Sequence, residues 1–194
     1  MVKGDFNEPF RVFQLMSSYP GTWGIAGGWA IDLFINEVTR SHQDIEIAIP
    51  RSEQLMIQAY ISDWELRYVI DGQFYDWEQN QHLTLPIHEI HGTDGDGSSL
   101  EILLNETDDT TWYFRRNILI HYPRYDTFIT SPSGIPILAP ECVLLYKAKW
   151  CETKDNHDLK YALPYLNEDQ KIWLASAIEM NHGSHHWLKV IQCK

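Results

Sequence analysis

The chain has 194 residues, of which 44% are hydrophobic, and its formal net charge is −12 at pH 7. This length and composition predict one domain or two small lobes around a hydrophobic core, and they exclude a disordered tail. The chain has 15 Lys plus Arg against 27 acidic residues and no basic run. A nucleic-acid substrate is therefore not expected, since binding a phosphate backbone needs a basic patch. An acidic surface better suits a small or cationic acceptor.

The sequence also bears on the compartment. It holds no run of about 18 apolar residues, so no membrane span is predicted. The first ten residues lack the apolar core of a signal peptide. Three cysteines, Cys142, Cys151 and Cys193, form no CxxC pattern, which predicts reduced thiols and a cytoplasmic location.

The first half of the chain alternates between helical and strand-like patterns. Apolar residues recur with a helical period over 7–19, and again from the Arg51-Ser52 N-cap to about residue 62. Alternating apolar and polar residues predict β-strands, one of which Pro86 places at an edge or a break. The predicted strands span 23–26, 44–50, 64–70, 83–90 and 100–105.

Helical patterns dominate the end of the chain. The proline-bounded segment 131–140 is predicted to connect two lobes. Helical spacing and caps then predict four helices, which span 141–153, 155–163, 168–181 and 186–191. We therefore predict a core of mixed α/β structure over 1–135 and a small helical lobe over 136–194.

One stretch carries the chemistry around which the rest is organised. Gly27-Gly28 lies between a predicted strand and a helix, where glycines let the backbone approach a phosphate at the helix N-terminus. Asp44 and Glu46 are two residues apart in a predicted strand and so project from the same face. Two adjacent carboxylates repel each other unless a cation lies between them. This pattern predicts a site for a hard metal ion used with substrate phosphates.

The order of these residues resembles a known signature. Gly27-Gly28, a spacer and Asp44-Ile45-Glu46-Ile47 are similar to the motif of the polymerase-β-like nucleotidyltransferase superfamily. The fuller strings AGGWAIDLF and TRSHQDIEIAI resemble the small bacterial antibiotic nucleotidyltransferases, of the aminoglycoside 2''-adenylyltransferase and lincosamide nucleotidyltransferase types. Glu46 departs from the Asp that is more usual in this branch, and the spacer is slightly longer than the general pattern.

The resemblance implies a fold and a reaction. The implied fold is α/β (α+β), a mixed and strongly twisted sheet flanked by helices, with a C-terminal helical lobe that closes the cleft. The implied reaction moves a nucleoside monophosphate from a nucleoside triphosphate, with ATP expected, to a hydroxyl of a small acceptor and releases pyrophosphate. Two Mg²⁺ ions held by Asp44, Glu46 and a third acid would assist it.

Glu101 is the predicted third acid. It is the only charged residue in the strand pattern LEILLN, and a lone charge there also fits the solvent face of an edge strand. In the family that the sequence resembles, a third acid lies on a later strand, where it binds metal and acts as the general base. Glu106, just beyond the strand pattern, is the alternative position.

Basic residues are the candidates for binding phosphates. Arg40 precedes the acidic strand and can neutralise phosphate charge or brace its loop. Lys147 matches the lysine of a YK element that the resemblance places at the nucleotide phosphates. Asp155 and Asp158 are predicted to cap and brace a helix. Arg115 and Arg116 can likewise neutralise phosphate charge or form salt bridges, and a structural role is favoured for both. His42 and the C-terminal histidines His182, His185 and His186 are interpreted as structural, the last three because no cysteine or carboxylate stands at ligand spacing.

Other functions stay open. One alternative is a nucleotide-binding or interaction module that kept the fold and lost the chemistry. Another is a toxin-like nucleotidyltransferase that modifies a protein or an RNA. The sequence identifies neither the acceptor, such as an aminoglycoside or a lincosamide, nor the oligomeric state.

Overall fold

The computed structural model describes residues 5–192, so Cys193 lies outside the described residues. Eight α-helices and ten β-strands follow each other along this part of the chain. The helices are α1 Asn7–Leu15, α2 Gly27–Ile35, α3 Gln54–Tyr60, α4 Arg124–Thr127, α5 Pro140–Lys147, α6 Thr153–Ala162, α7 Glu168–His182 and α8 His186–Gln192. The strands are β1 Gly24–Ile25, β2 Glu46–Pro50, β3 Glu65–Ile70, β4 Gln73–Asp76, β5 Glu89–Thr93, β6 Ser99–Thr107, β7 Thr111–Tyr113, β8 His121–Pro123, β9 Phe128–Thr130 and β10 Pro136–Leu138.

The strands form one mixed sheet, in which eight strands follow the order β4-β3-β5-β6-β2-β1-β10-β9. Outside this order, β7 pairs with β6 and with β8. Strand β2 pairs parallel with β6 and antiparallel with β1. Ile47, Ala48 and Ile49, which point alternately to the two faces of β2, are fully buried, which is typical of a central strand covered on both faces. The predicted fold class, a mixed sheet flanked by helices, is confirmed.

Helix α2 is deeply buried next to the site. Its residues Ala30, Ile31 and Leu33 have no exposed surface, and the helix packs against β2, β10, α5 and α6. Because α2 starts at the end of β1, this packing fixes the position of the Gly27-Gly28 turn above the sheet. A helix buried on nearly every side is apolar all round.

Two predicted elements were wrong in extent. The strand predicted over 83–90 is β5, Glu89–Thr93, because the chain turns at Pro86, where the amide of Ile87 donates to Thr84 O at 3.0 Å. The helix predicted over 141–153 ends at Lys147, and α6 begins at Thr153. Cys151 between them has a φ of 49°, a left-handed conformation that no helix continues through.

The segment predicted to connect two lobes contributes to the sheet. Its residues 136–138 form β10, in which Ile137 pairs parallel with Ile25 of β1. Helices α5 to α8 follow, with α7 packed against both α5 and α8. The division of the chain into a core over 1–135 and a helical lobe over 136–194 remains a prediction. Within residues 5–192, none of the helices combines the length and the hydropathy that crossing a membrane requires.

Candidate functional site

The glycine turn holds the site together sterically. Gly27 has a φ of 58°, and a Cβ there would overlap the carboxylate of Glu46. A Cβ on Gly28 would overlap the guanidinium of Arg40 and lie 2.7 Å from the ring of His42. Both glycines are therefore required so that the side chains of the acidic strand and its loop can lie against the N-terminus of α2. Ala26, which precedes α2, provides no side-chain cap, so the first amides of this helix have no capping side chain, and the turn lines the cavity.

The three predicted carboxylates come together. Strand β2 begins at Glu46, and Asp44 lies in the two residues before it rather than inside the strand as predicted. Glu46 and Glu101 are partners in the parallel register of β2 and β6, which puts both side chains on the same face. The amide of Glu101 donates to Ile45 O at 3.0 Å and so fixes Glu101 beside the acidic segment.

Mutual repulsion acts on these carboxylates. Burial, together with the charges of Glu101 and Asp44, raises the pKa of Glu46 to about 7 against a partial opposing effect of Lys147. Burial also raises the pKa of Glu101, and the charges of Asp44 and Glu89 add to this shift, although His91 opposes it. A bound cation would relieve this repulsion, so the electrostatics of the cluster fit a metal ion.

A fourth carboxylate belongs to the same cluster. Glu89 on β5 accepts from His91 Nε2 at 2.7 Å, and His91 Nδ1 lies 3.7 Å from Glu101 Oε1. One ligand atom from each of these three side chains lies within 4.8 Å of the others, close enough to share a cation. Glu89 was not among the predicted site residues. Its two-residue spacing from His91 could have revealed a shared face, but the pairing of β5 with β6 could not be read locally.

Arg40 and Lys147 are joined through one buried carboxylate. Asp158 accepts from Arg40 Nε at 2.7 Å and Nη2 at 2.9 Å, and its Oδ2 also lies 2.9 Å from Lys147 Nζ. Lys147 further contacts Asp155 Oδ1 at 3.2 Å. Asp155 also closes the capping box at the start of α6 with Glu152. The two predicted phosphate-binding cations therefore face the site with their charges already balanced by two carboxylates.

His42 braces the loop that carries Arg40. Its Nε2 lies 2.7 Å from Oδ2 of Asp32, which is fully buried and also accepts from Thr39 Oγ1 at 2.7 Å. The imidazole stacks on Trp29 with ring centroids 4.1 Å apart. These contacts fit the structural interpretation of His42.

A cavity of about 720 Å³ opens over the glycine turn, between the sheet and helices α5 and α6. Glu89 lines this cavity, whereas Glu101 does not. The alternative third acid, Glu106, does not line it either, because it pairs with Arg51 Nε at 2.7 Å. The predicted site residues that line the cavity are Gly27, Gly28, Arg40, Asp44, Glu46 and Lys147.

The C-terminal histidines do have a cysteine neighbour, contrary to the prediction. Cys151 Sγ lies 3.2 Å from His185 Nε2. Both atoms also contact the carbonyl oxygen of Ala148, at 3.2 Å and 3.0 Å. The long separation of residues 151 and 185 along the chain concealed this contact from sequence analysis. The bonds to Ala148 tie the end of α5 to the start of α8.

Comparisons with known proteins support this architecture. The model of the aminoglycoside-2''-adenylyltransferase family matches residues 10–161. No curated protein sequence matches the chain significantly.

Solved structures share the fold at low sequence identity. The lincosamide antibiotic adenylyltransferase LnuA, solved with lincomycin bound, is 18% identical with a TM-score of 0.56, over 80% of this chain and 95% of LnuA. The antibiotic-resistance factor ANT(2'')-Ia in solution is 16% identical with a TM-score of 0.59, over 89% of this chain and 92% of that one. A crystal structure of ANT(2'')-Ia with adenylyl-2''-tobramycin is 18% identical with a TM-score of 0.57, over 88% of this chain and 95% of that one.

Proposed function

Because the chain belongs to the aminoglycoside-2''-adenylyltransferase family, we propose that it transfers AMP from ATP to a hydroxyl of a small acceptor and releases pyrophosphate. The acceptor candidates are aminoglycosides and lincosamides, since LnuA is a lincosamide antibiotic adenylyltransferase and ANT(2'')-Ia was solved with adenylyl-2''-tobramycin. We further propose that the enzyme works in the cytoplasm and that its helical lobe closes over the bound nucleotide.

The observation that carries this proposal is the juxtaposition of the carboxylates with the glycine turn. Glu46 lies against Gly27, in register with Glu101, and its pKa is raised to about 7 by burial and by the neighbouring acids. An enzyme that uses a metal ion with a triphosphate needs hard oxygen ligands next to a phosphate-binding turn. A non-catalytic module has no need to keep such mutually repelling groups together.

Asp44, Glu46 and Glu101 are the residues that would hold Mg²⁺, with two ions expected, and their oxygen atoms are the ligand type that Mg²⁺ prefers. When bound, two ions neutralise charge on the attacking and leaving oxygens of a phosphoryl transfer. Asp44 is exposed to solvent, whereas Glu46 and Glu101 are partly buried, so a metal ion could be bound where the sheet meets solvent.

The remaining residues would position substrates and move a proton. Glu101, whose pKa is raised by burial, would accept the proton of the acceptor hydroxyl. His91 bonds to Glu89 and lies near Glu101, so it would hold both carboxylates in place. The amides at Gly27-Gly28 would bind the phosphates. Arg40 and Lys147, which Asp158 holds in place, would also bind the phosphates.

The test is mass spectrometry of acceptors after incubation with protein, Mg²⁺ and ATP. The panel contains aminoglycosides and lincosamides, and Asp44→Asn is the inactive variant. We expect an acceptor heavier by one AMP with the wild type and no such product with the variant. Equal product with Asp44→Asn would overturn the catalytic assignment. Magnesium-dependent ATP binding without a product on any acceptor would favour a binding module.

A further inference from the structure

Two arginines of the cavity take no part in the mechanism above. Arg115 and Arg116 follow β7, line the same cavity and are partly buried. Their guanidinium carbons lie 5.5 Å and 5.2 Å from the centre of the Tyr146 ring. Arg116 Nη1 also donates to Tyr146 O at 2.9 Å. The ring of Tyr146 thus holds two positive charges at the cavity wall.

These arginines differ from the other cations of the cavity. Within residues 5–192, neither has a carboxylate oxygen within 4.0 Å, whereas Arg40 and Lys147 share Asp158. Burial lowers the pKa of both guanidinium groups, and the charge of Arg115 lowers that of Arg116 further. Two partly buried like charges without a counter-ion are costly, and a bound anion offsets this cost.

Arg115 and Arg116 lie near different strands of the sheet from the glycine turn. The turn follows β1, and strands β2 and β6 lie between β1 and β5 in the sheet. Arg115 is influenced by Glu89 of β5 and Glu106 of β6, and both arginines act on the pKa of His88, just before β5. The arginines therefore lie near residues of β5 and β6, whereas the glycine turn follows β1, on the other side of β2. In an in-line transfer, the acceptor approaches from the side opposite the leaving pyrophosphate.

We propose that Arg115 and Arg116 form a subsite for an oxyanion, a carboxylate or a phosphate, carried by the acceptor. This inference rests on the proposed AMP transfer to a hydroxyl, and it adds hydroxyl compounds with an acidic group to the acceptor candidates. Guanidinium groups match the geometry of both oxyanions. The subsite disfavours an acceptor whose groups near it are protonated amines, because two unpaired arginines repel them. It therefore favours a hydroxyl compound with an acidic group over a polyamine such as an aminoglycoside.

The experiment measures binding of inorganic phosphate by calorimetry to protein saturated with Mg²⁺ and α,β-methylene-ATP, which fills the nucleotide site. The first variant is Arg115→Gln, because the side chain of Arg115 makes no hydrogen bond within residues 5–192. Arg116→Gln is the second. Arg67→Gln is the matched control, since Arg67 also lies over an aromatic ring, Phe74 at 5.2 Å, but outside the cavity. Thermal unfolding checks that each variant is folded.

We expect Arg115→Gln to weaken phosphate binding about tenfold or more, and Arg67→Gln to leave it unchanged. Both should keep the nucleotide affinity of the wild type. Phosphate affinity that survives in both cavity variants, or is absent from the wild type, would overturn the subsite. A tenfold loss of nucleotide affinity in Arg115→Gln would also overturn it and assign the pair to the triphosphate. Phosphate binding needs no turnover, so an absence of AMP transfer would refute the proposed function separately.

Discussion

The carboxylate cluster and the ion-pair network of Arg40 both contain buried or partly buried carboxylates, but the surrounding charges act on them in opposite directions. In the cluster, burial and the charges of neighbouring acids raise the pKa of Glu46 and of Glu101, and His91 is the main opposing group for Glu101. In the network, two cations meet Asp158, whose side chain is fully buried. Burial alone would raise the pKa of Asp158, but hydrogen bonds from Arg40 and the charge of Lys147 lower it.

This difference distinguishes a group of residues suited to binding a ligand from a group that stabilises the fold. A region with excess charge of one sign stores unfavourable energy that a bound counter-ion releases. A balanced region offers no such release and instead fixes the relative positions of its elements. Here the network connects the loop after α2 to helices α5 and α6, which form one wall of the cavity.

The largest effect is expected from Glu101→Gln. The amide cannot accept the hydroxyl proton, so turnover should fall by about 10²–10⁴-fold while the fold persists. Initial rates of AMP transfer measure the loss. Glu106→Gln is the control, because Glu106 follows Glu101 on the same strand but pairs with Arg51 at 2.7 Å instead of facing the other acids. A comparable loss in both variants would remove the distinction between the two acids.

Asp158→Asn should destabilise the protein by about 3 kcal/mol, because it leaves Arg40 and Lys147 partly buried without their shared counter-ion. Urea unfolding of the wild type and the variant at pH 7.5 measures this difference. A change below about 0.5 kcal/mol would mean that the network contributes nothing to the fold.

The contribution of Asp158 to the stability of the fold should also depend on pH. The pKa of Asp158 in the folded protein lies below its ordinary value of 3.8. Its contribution to stability is therefore complete above that value and is lost as the pH falls through the lower folded pKa. The stability difference between wild type and Asp158→Asn should shrink as unfolding is measured at progressively lower pH below 3.8. A difference that grows on acidification would contradict the assigned direction.

Gly27→Ala should cost about 2 kcal/mol, because the new Cβ combines a left-handed backbone with an overlap on the Glu46 carboxylate. Gly72→Ala separates the two causes. Gly72 also has a positive φ, 75°, but a Cβ there has open space. Its cost should be limited to the backbone term, roughly 1 kcal/mol. Equal losses in urea unfolding would show that the contact with Glu46 is unimportant.

The smallest effect has the opposite sign. Without Mg²⁺, Glu46→Gln should stabilise the protein by about 1 kcal/mol, because it removes a charge that Asp44 and Glu101 repel. Unfolding in the presence of EDTA tests this, and Glu65→Gln, at an exposed position of β3, is the control. A Glu46→Gln protein less stable than the wild type under these conditions would mean that the carboxylate is already well compensated.

The parts predicted from sequence are those in which neighbours along the chain decide the outcome. Gly27-Gly28 and the Asp44-x-Glu46 pair are local signals, and the structure places both at one cavity. The fold class followed from the resemblance and is confirmed. The Arg40–Asp158 pair joins residues 118 apart, so no local pattern could reveal it. Glu89 was missed for a similar reason, since its role depends on the register of β5 against β6.

The measurement that tests the account most directly is the rise in unfolding temperature caused by Mg²⁺ plus α,β-methylene-ATP. It compares the wild type with Asp44→Asn and uses either ligand alone as the reference. The wild type should gain stability only when both ligands are present, and the variant should gain little, because the cation that joins protein and triphosphate has lost a ligand. Equal shifts in the two proteins, or no shift in the wild type, would contradict a metal-nucleotide site at the carboxylate cluster.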